Sequence, residues 1–80
     1  MDKQKGSGMS ELKKQRLSAG ITQVELAKRT GMKQPYIARY ESKAVDINQM
    51  SIENGYRIAS AIGCQIEDIM EKGAIKSATV

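Results

Sequence analysis

Residues 21–42, ITQVELAKRTGMKQPYIARYES, hold two helical segments with only a short break between them. In the first segment, Thr22 and Glu25 have the spacing of a capping box. The threonine hydroxyl accepts a hydrogen bond from the backbone N–H of Glu25, and the glutamate carboxylate accepts one from the N–H of Thr22. Gly31 lacks a Cβ and therefore suits the left-handed turn that ends a helix. The pattern predicts a helix over 23–30.

The second segment begins after a break of three residues that includes Gly31. Pro35 is compatible with a helix there because it falls in the first turn, where its missing N–H would have had no intrahelical partner. The pattern predicts a helix over 34–42. Two helices joined by a three-residue turn that contains Gly are typical of a helix-turn-helix, in which the tight turn lets the second helix protrude while the first braces it.

Helical signals also precede this stretch. Ser10 can cap a helix that runs to about Ala19 and ends at Gly20. Leu12 and Leu17 are the apolar residues of this helix, and we expect both to face inward.

The chain after 42 continues the helical pattern. A connection over 43–49 leads to a predicted helix near 50–62, which Gly63 closes. A short helix is predicted at about 66–71, with Gln65 as a poor cap. No segment shows the clean alternation of a strand. We therefore expect an all-α fold, a compact five-helix bundle.

The composition suits one small domain. The 80 residues are 40% hydrophobic, with three Tyr and no Trp or Phe, so the core must be aliphatic. So short a chain can bury only a modest core, and a helical bundle, whose contacts are mostly local in sequence, suits that limit. We expect the domain over 10–72, with flexible tails at 1–9 and 73–80.

The positive charge is concentrated in the first part of the chain. Residues 1–46 contain ten Lys and Arg against five Asp and Glu, which is +5, and residues 47–80 contain three against four, which is −1. Such asymmetry is expected if one face binds a polyanion. Extra lysines that only keep a small domain soluble are the alternative.

Several classes of function are disfavoured by what the sequence lacks. With no His and one cysteine, Cys64, the chain offers no disulfide, no structural zinc site and no His-based acid–base catalysis. Cys64 is predicted to be a small buried apolar residue. Glu67 and Asp68, the adjacent carboxylates, point in different directions on a helix, so we expect no enzyme, metal or cofactor. No apolar run or signal peptide is evident, and we expect a cytoplasmic protein without membrane contact.

The helix over 34–42 has an inward and an outward side. The residues predicted to face the core are Met32, Ile37 and Tyr40. The residues left outward are Gln34, Pro35, Ala38 and Arg39. A Gln amide can pair with adenine N6 and N7, and an Arg guanidinium with guanine O6 and N7. The outward pair Gln34 and Arg39 therefore suits base recognition in double-stranded DNA.

Residues around that helix suit phosphate binding. Lys33 precedes it and Lys43 follows it, where a DNA backbone would flank a helix in the groove. Gln23 and the free N–H groups at the start of the preceding helix offer a further phosphate-binding terminus. The alternative is that Gln34 and Arg39 are an ordinary solvated face.

The sequence also resembles a known family. The matching stretches are Leu12-Lys13-Lys14-Gln15-Arg16-Leu17, Gly20-Ile21-Thr22-Gln23-Val24-Glu25-Leu26-Ala27, Gly31 to Glu41, and Ile58-Ala59-Ser60-Ala61-Ile62-Gly63. Together they resemble the Cro/CI-type (XRE-like) helix-turn-helix family of phage repressors and bacterial transcriptional regulators. The resemblance covers roughly residues 10–71 and implies a lambda-repressor-like DNA-binding domain.

The resemblance implies roles for individual residues. It implies that Gln23 contacts phosphate, that Gln34 and Pro35 meet bases, and that Arg39 reads a base or a phosphate. Pro35 can offer a base only apolar contact, for example with a thymine methyl. The candidate DNA-binding residues are Gln23, Lys33, Gln34, Pro35, Tyr36, Arg39 and Lys43.

A structural ion pair is implied as well. In the family an arginine of the first helix often pairs, largely buried, with a glutamate at the end of the recognition helix, and Arg16 and Glu41 occupy those positions. Two separate surface charges are the alternative. Lys33 stands where the family usually has a Ser or Thr cap.

The expected function is that of a sequence-specific transcriptional regulator, a repressor that binds a palindromic operator as a homodimer. Two recognition helices would then lie about 34 Å apart. The expected dimer surface is Ile66, Ile69, Met70 and Ile75. The alternative for Ile66 and Ile69 is ordinary core. The alternative function is an antitoxin or accessory interaction module that binds a protein partner through its C-terminal tail.

Overall fold

The computed structural model describes residues 9–71 of the chain. Over that range it is helical without strands, which confirms the all-α class. The α-helices are α1 (Glu11–Ser18), α2 (Gln23–Thr30), α3 (Gln34–Glu41) and α4 (Ile52–Ile62). Two short 3₁₀ segments, Ile47–Gln49 and Ile66–Ile69, follow α3 and α4. Apart from Met9, the tails expected at 1–9 and 73–80 lie outside the described residues.

The first two helices begin where their capping residues predict. The Ser10 hydroxyl accepts from the backbone N–H of Lys13 at 3.1 Å, and the Thr22 hydroxyl accepts from that of Glu25 at 3.0 Å. The return half of the capping box is not formed, because the Glu25 carboxylate accepts instead from Nε of Arg29, one turn along α2, at 3.0 Å. The helix start therefore rests on the threonine hydroxyl.

Gly31 makes the tight turn between α2 and α3. Its φ of +74° lies in the left-handed region, and its N–H donates to the Ala27 carbonyl at 2.9 Å. Met32 and Lys33 are the only residues between this glycine and the first residue of α3. The predicted helix-turn-helix geometry is therefore present.

The core takes a large aliphatic side chain from each of the six helical segments, and Ala27 of α2 belongs to the same cluster. Each of these six is at most 2% exposed: Leu12, Leu26, Ile37, Ile47, Ile58 and Ile69. Met32 and Tyr40 are partly buried against this cluster, which confirms the predicted inward side of α3. Because every segment contributes one side chain, loosening any one of them disturbs the packing of the others.

The five-helix prediction is wrong at its C-terminal end. Residues 66–69 form a 3₁₀ turn instead of an α-helix over 66–71, and α4 begins at Ile52 instead of position 50. A four-residue segment is too short for a run of α-helical hydrogen bonds but long enough for i to i+3 bonds. The turn is capped from within, because the Asp68 carboxylate accepts from the N–H of Gln65 at 3.0 Å.

Leu17 does not face inward as predicted, since its side chain is 49% exposed. Leu12 and Leu17 are five positions apart, which is roughly 140° around a helix of 3.6 residues per turn. Arg16, four positions after Leu12, takes the inward place and is 7% exposed. The polar side chain is buried because it has a specific partner there.

The residues predicted to form the dimer surface are largely buried within the domain. Ile69 is fully buried, while Ile66 and Met70 are partly buried. The core alternative is therefore correct for Ile69, and Ile75 lies outside the described residues.

Cys64 is partly buried and packs against the core. Burial, and then the nearby Asp68 carboxylate, raise the pKa of its thiol. The thiol therefore stays protonated at neutral pH, in line with the predicted apolar role. Separately, no helix among residues 9–71 has the length and apolar character needed to cross a membrane.

Candidate nucleic-acid interface

A buried ion pair joins α1 to the end of α3. Nε of Arg16 lies 2.6 Å from one carboxylate oxygen of Glu41, and Nη2 donates to the other at 3.0 Å. The two side chains are only 8% and 3% exposed. The remaining guanidinium nitrogen, Nη1, donates to the Ile21 carbonyl at 2.8 Å. This two-pronged contact fixes α3 relative to α1 and to the start of the helix-turn-helix.

Gln23 extends that pair to the surface of α3. Its Nε2 donates to Oε1 of Glu41 at 3.0 Å, and its Oε1 accepts from Nε2 of Gln34 at 2.7 Å. Both ends of the Gln23 amide are therefore used within the protein. A continuous set of hydrogen bonds runs from buried Arg16 through Glu41 and Gln23 to the exposed Gln34.

The outer side of α3 carries polar groups that point to solvent. Gln34, Pro35, Tyr36 and Arg39 are all exposed. The guanidinium carbon of Arg39 lies 5.8 Å from the centroid of the Tyr36 ring, within the range of a cation–π contact. This contact restricts the arginine while leaving its donors outward. The Gln34 and Arg39 side chains are therefore both accessible, and the Arg39 side chain is partly ordered by Tyr36.

The charge on this surface is not neutralised from within. Five of the cations in the described part of the chain face carboxylates: Lys14, Arg16, Arg29, Lys43 and Arg57. Lys33 and Arg39, like Lys13 and Lys28 on the first two helices, have no acidic partner among residues 9–71. Lys33 is the N-cap residue of α3 and makes no side-chain capping bond, because an ammonium group has no acceptor for a backbone N–H. The exposed cations Lys33 and Arg39 are thus accessible at the start and in the last turn of α3.

Lys43 lies at the C-terminal end of α3 in an unusual backbone conformation. Its φ is +67°, the single positive value outside glycine among the described residues. Its N–H donates to the Tyr40 carbonyl at 3.2 Å, and the N–H of Ala44 donates to the Arg39 carbonyl at 3.0 Å. These are the two hydrogen bonds of a Schellman motif, whose left-handed residue is usually Gly. A lysine there costs about 1–2 kcal/mol.

Glu71 lies close to Lys43 in the structure, although the sequence analysis did not predict it as a residue of the site. One of its carboxylate oxygens lies 3.7 Å from Nζ of Lys43, and the other accepts from the N–H of Glu11 at 3.0 Å. Its backbone exchanges hydrogen bonds with the amide of Asn48 at 3.0 and 3.2 Å. No local pattern indicates these contacts, since Glu11 and Glu71 are 60 positions apart.

The geometry of the candidate residues is that of a binding surface. Within the described range no three His, Cys, Asp or Glu side chains are grouped so that they could hold a metal ion. The candidate residues instead lie on one helix and its two ends, with a glutamine held in place from the interior. A rigid, cationic and amide-bearing helix that protrudes from a bundle is suited to the major groove of DNA.

Comparison with protein families gives one finding. A family model described as helix-turn-helix matches residues 12–69, from the second residue of α1 to the end of the last 3₁₀ turn. Comparisons with curated proteins and with solved structures return no match. The match covers well over half of the chain and includes every element of the core. The chain therefore belongs to the Cro/CI-type (XRE-like) helix-turn-helix family of DNA-binding regulators.

Proposed function

We propose that this protein is a sequence-specific transcriptional repressor of the cytoplasm that reads a palindromic operator through the major groove with α3. The observation that carries the proposal is the Gln23–Gln34 hydrogen bond of 2.7 Å, which presents an exposed amide at the start of α3 and anchors it to the buried Glu41. A side chain that is already held in one orientation loses less conformational entropy when it binds a base.

Gln34 and Arg39 are the proposed base readers. Gln34 is exposed at the start of α3 and Arg39 is exposed in its last turn, so a helix that lies along the major groove would bring both near base edges. Pro35 and Tyr36 stand beside them and supply apolar contact.

The proposed phosphate contacts lie at both ends of α3 and at the start of α2. Lys33 and Lys43 flank the recognition helix with positive charge. Because the Gln23 amide is engaged with Glu41 and Gln34, we assign its phosphate contact to the backbone N–H at the N-terminus of α2. In this proposal the Gln23 side chain orients Gln34, and the Gln23 backbone N–H binds a phosphate.

The first experiment is selection of bound duplexes from a random-sequence pool, followed by binding titrations with variants. Arg39→Ala and Gln34→Ala should each relax the preference at one base position, at a cost of about 1–3 kcal/mol. Lys33→Ala should weaken binding to all duplexes and lower the salt slope by about one. The matched control is Lys14→Ala, whose lysine on α1 is already paired with Glu11.

Two outcomes would reject the proposal. One is that the pool yields no enriched sequence. The other is that Arg39→Ala and Lys14→Ala have the same small effect on binding. The repressor role itself is tested by placing the selected sequence across a promoter, where production of the protein should lower transcription.

A further inference from the structure

A depression beside the helix-turn-helix contains a positive charge without a negative one. It lies between the turn, α3 and the start of α4, and its volume is about 390 Å³. Its lining residues are Gly31, Met32, Lys33, Tyr36, Tyr40 and Asn54. Small-molecule sites usually have volumes of about 300–1,000 Å³. We propose that this depression, which we name the turn pocket, binds a small aromatic carboxylate that displaces DNA. The displacement rests on the proposed function, whereas the binding of the carboxylate does not.

The polar groups of the turn pocket favour a carboxylate. Lys33 is exposed and has no acidic partner among residues 9–71, and no other lining residue is charged at neutral pH. The backbone N–H of Asn54 donates to the Ser51 hydroxyl, but its side-chain amide makes no hydrogen bond within the part of the chain that the structure describes. The ammonium and the amide can each donate to one carboxylate oxygen. A single positive charge matches a monoanion better than a phosphate monoester, whose charge is about −1.5 to −2.

The walls of the turn pocket suit a flat apolar ring. Tyr36 is half exposed, while Met32 and Tyr40 pack against the core on one side and line the pocket on the other. Aromatic rings pack favourably in offset or edge-to-face arrangements, and the methionine thioether also makes favourable contacts with a ring. Gly31 contributes only backbone to the lining and leaves space beside the rings. An aromatic ring with one carboxylate therefore satisfies both the walls and the charge.

Two other depressions in the described range lack a free positive charge. In the groove between α2 and α4, both arginines are paired with glutamates one turn away on the same helix. In the depression at the end of α3, Lys43 lies 3.7 Å from a carboxylate oxygen of Glu71. An anion that entered either depression would compete with a carboxylate of the protein. The ammonium of the turn pocket is available without that competition.

A carboxylate in the turn pocket would occupy groups that DNA also needs. Lys33 and Tyr36 line the pocket, and both are among the proposed DNA contacts. The ligand would neutralise the ammonium that otherwise binds a phosphate, and its ring would lie near the tyrosine that restricts Arg39. Ligand and DNA therefore compete, and each lowers the apparent affinity of the protein for the other.

The first test measures ligand binding by the full chain without DNA. The probes share one ring system: 2-naphthoate, the corresponding uncharged alcohol and the corresponding phosphate ester. An NMR titration of the backbone amides should give a dissociation constant of about 1 mM for the naphthoate, as expected for a ligand of this size in an open site. The largest shifts should fall on the residues of the turn pocket. The alcohol should bind about tenfold more weakly, and the phosphate ester no more tightly than the naphthoate.

Variants then test the two donors. Lys33→Gln and Asn54→Ala should each raise the dissociation constant for the naphthoate about three- to tenfold, because each removes one donor to the carboxylate. The matched control is Lys28→Gln, which removes an unpaired lysine of α2 that does not line the pocket. Circular dichroism checks the fold of each variant. The absence of saturable binding, equal affinity for the alcohol, tighter binding of the phosphate ester, or equal effects of Lys28→Gln and Lys33→Gln would overturn the proposal.

Competition with DNA separates this inference from the proposed function. The naphthoate should release a labelled selected duplex from wild type, measured by fluorescence anisotropy, and the alcohol should not. Asn54→Ala, which alters no proposed DNA contact, should bind the duplex as wild type does and need about three- to tenfold more naphthoate for the same release. Ligand binding without DNA binding by wild type would reject the proposed function alone. Ligand binding that leaves the duplex bound, or equal release from wild type and Asn54→Ala, would overturn the displacement.

Discussion

Glu41 binds two side chains, Arg16 and Gln23, through three hydrogen bonds. Its carboxylate is 3% exposed and accepts from two nitrogens of Arg16 and from the Gln23 amide. A buried carboxylate with this many donors is fully satisfied, whereas its donors would be left uncompensated without it. The residue therefore connects the stability of the bundle to the orientation of the reader Gln34.

We predict that Glu41→Ala lowers the free energy of unfolding by about 3–5 kcal/mol, since the variant leaves the Arg16 charge buried without a partner. Urea denaturation measures the change. The control is Glu53→Ala, which breaks the exposed pair with Arg57 and should cost at most about 1 kcal/mol. Equal losses in the two variants would show that burial of the pair is unimportant.

Glu71 limits the charge that Lys43 offers to DNA. The two groups lie 3.7 Å apart at the end of α3, and the lysine side chain is 47% exposed. We predict that Glu71→Gln raises DNA affinity about two- to fivefold and steepens the salt dependence, because the lysine is released from an exposed ion pair. The Gln side-chain oxygen can still accept from the N–H of Glu11, so the fold is kept.

Fluorescence anisotropy with a labelled duplex measures the effect of Glu71→Gln. Glu53→Gln removes a carboxylate from α4 instead and should leave affinity for a single half-site unchanged. A decrease in affinity for Glu71→Gln, or an equal increase in both variants, would contradict a specific role for the pair with Lys43.

At the scale of elements, α4 and the last 3₁₀ turn are fitted to each other at Gly55. A Cβ at this position would lie 2.6 Å from Cδ1 and 3.1 Å from Cγ1 of Ile66. The packing of the turn on α4 therefore depends on the missing side chain. This glycine is buried in the middle of a helix, where its lower helix propensity would otherwise be a disadvantage.

We predict that Gly55→Val lowers the free energy of unfolding by about 1–3 kcal/mol, because the branched side chain displaces Ile66. Thermal or urea unfolding measures it. The control is Ser60→Val, which introduces the same residue on an exposed position of α4 and should change stability by about 0.5 kcal/mol or less. A loss of equal size in the control would show that the contact with Ile66 is not the cause.

Element boundaries followed from the sequence where local chemistry determines them. Ser10, Thr22, Gly31 and Gly63 mark helix ends, and each acts through neighbours within a few residues. The positive φ of Lys43 had no such signal, because the α3 end uses a lysine where glycine is usual. The last segment also differs from its prediction, since its length and not its pattern decides between an α-helix and a 3₁₀ turn.

At the scale of the whole molecule, the contacts that the sequence did not predict are those between distant positions. The Gln23 bonds to Gln34 and Glu41 span 11 and 18 residues, and the Glu71 bond to Glu11 spans 60. Periodicity places residues on a face but does not say which polar side chains meet. Spacing predicted the inward side of α3, but it placed Leu17 inward, gave Ile47 no core role and left Ile69 open between the core and the dimer surface. The hydrogen-bond chain that supports Gln34 required the three-dimensional arrangement.

The central claim is that the exposed cations of α3 and its flanks bind the DNA backbone. The most direct test is the affinity of the full chain for a selected duplex at several salt concentrations, plotted as log K against log [salt]. We predict a straight line of negative slope, in which each phosphate neutralised by the protein contributes about −0.9 to the slope. We also predict that the selected duplex binds more tightly than an unrelated one at every salt concentration. A slope of zero, or equal affinity for the two duplexes, would contradict the account.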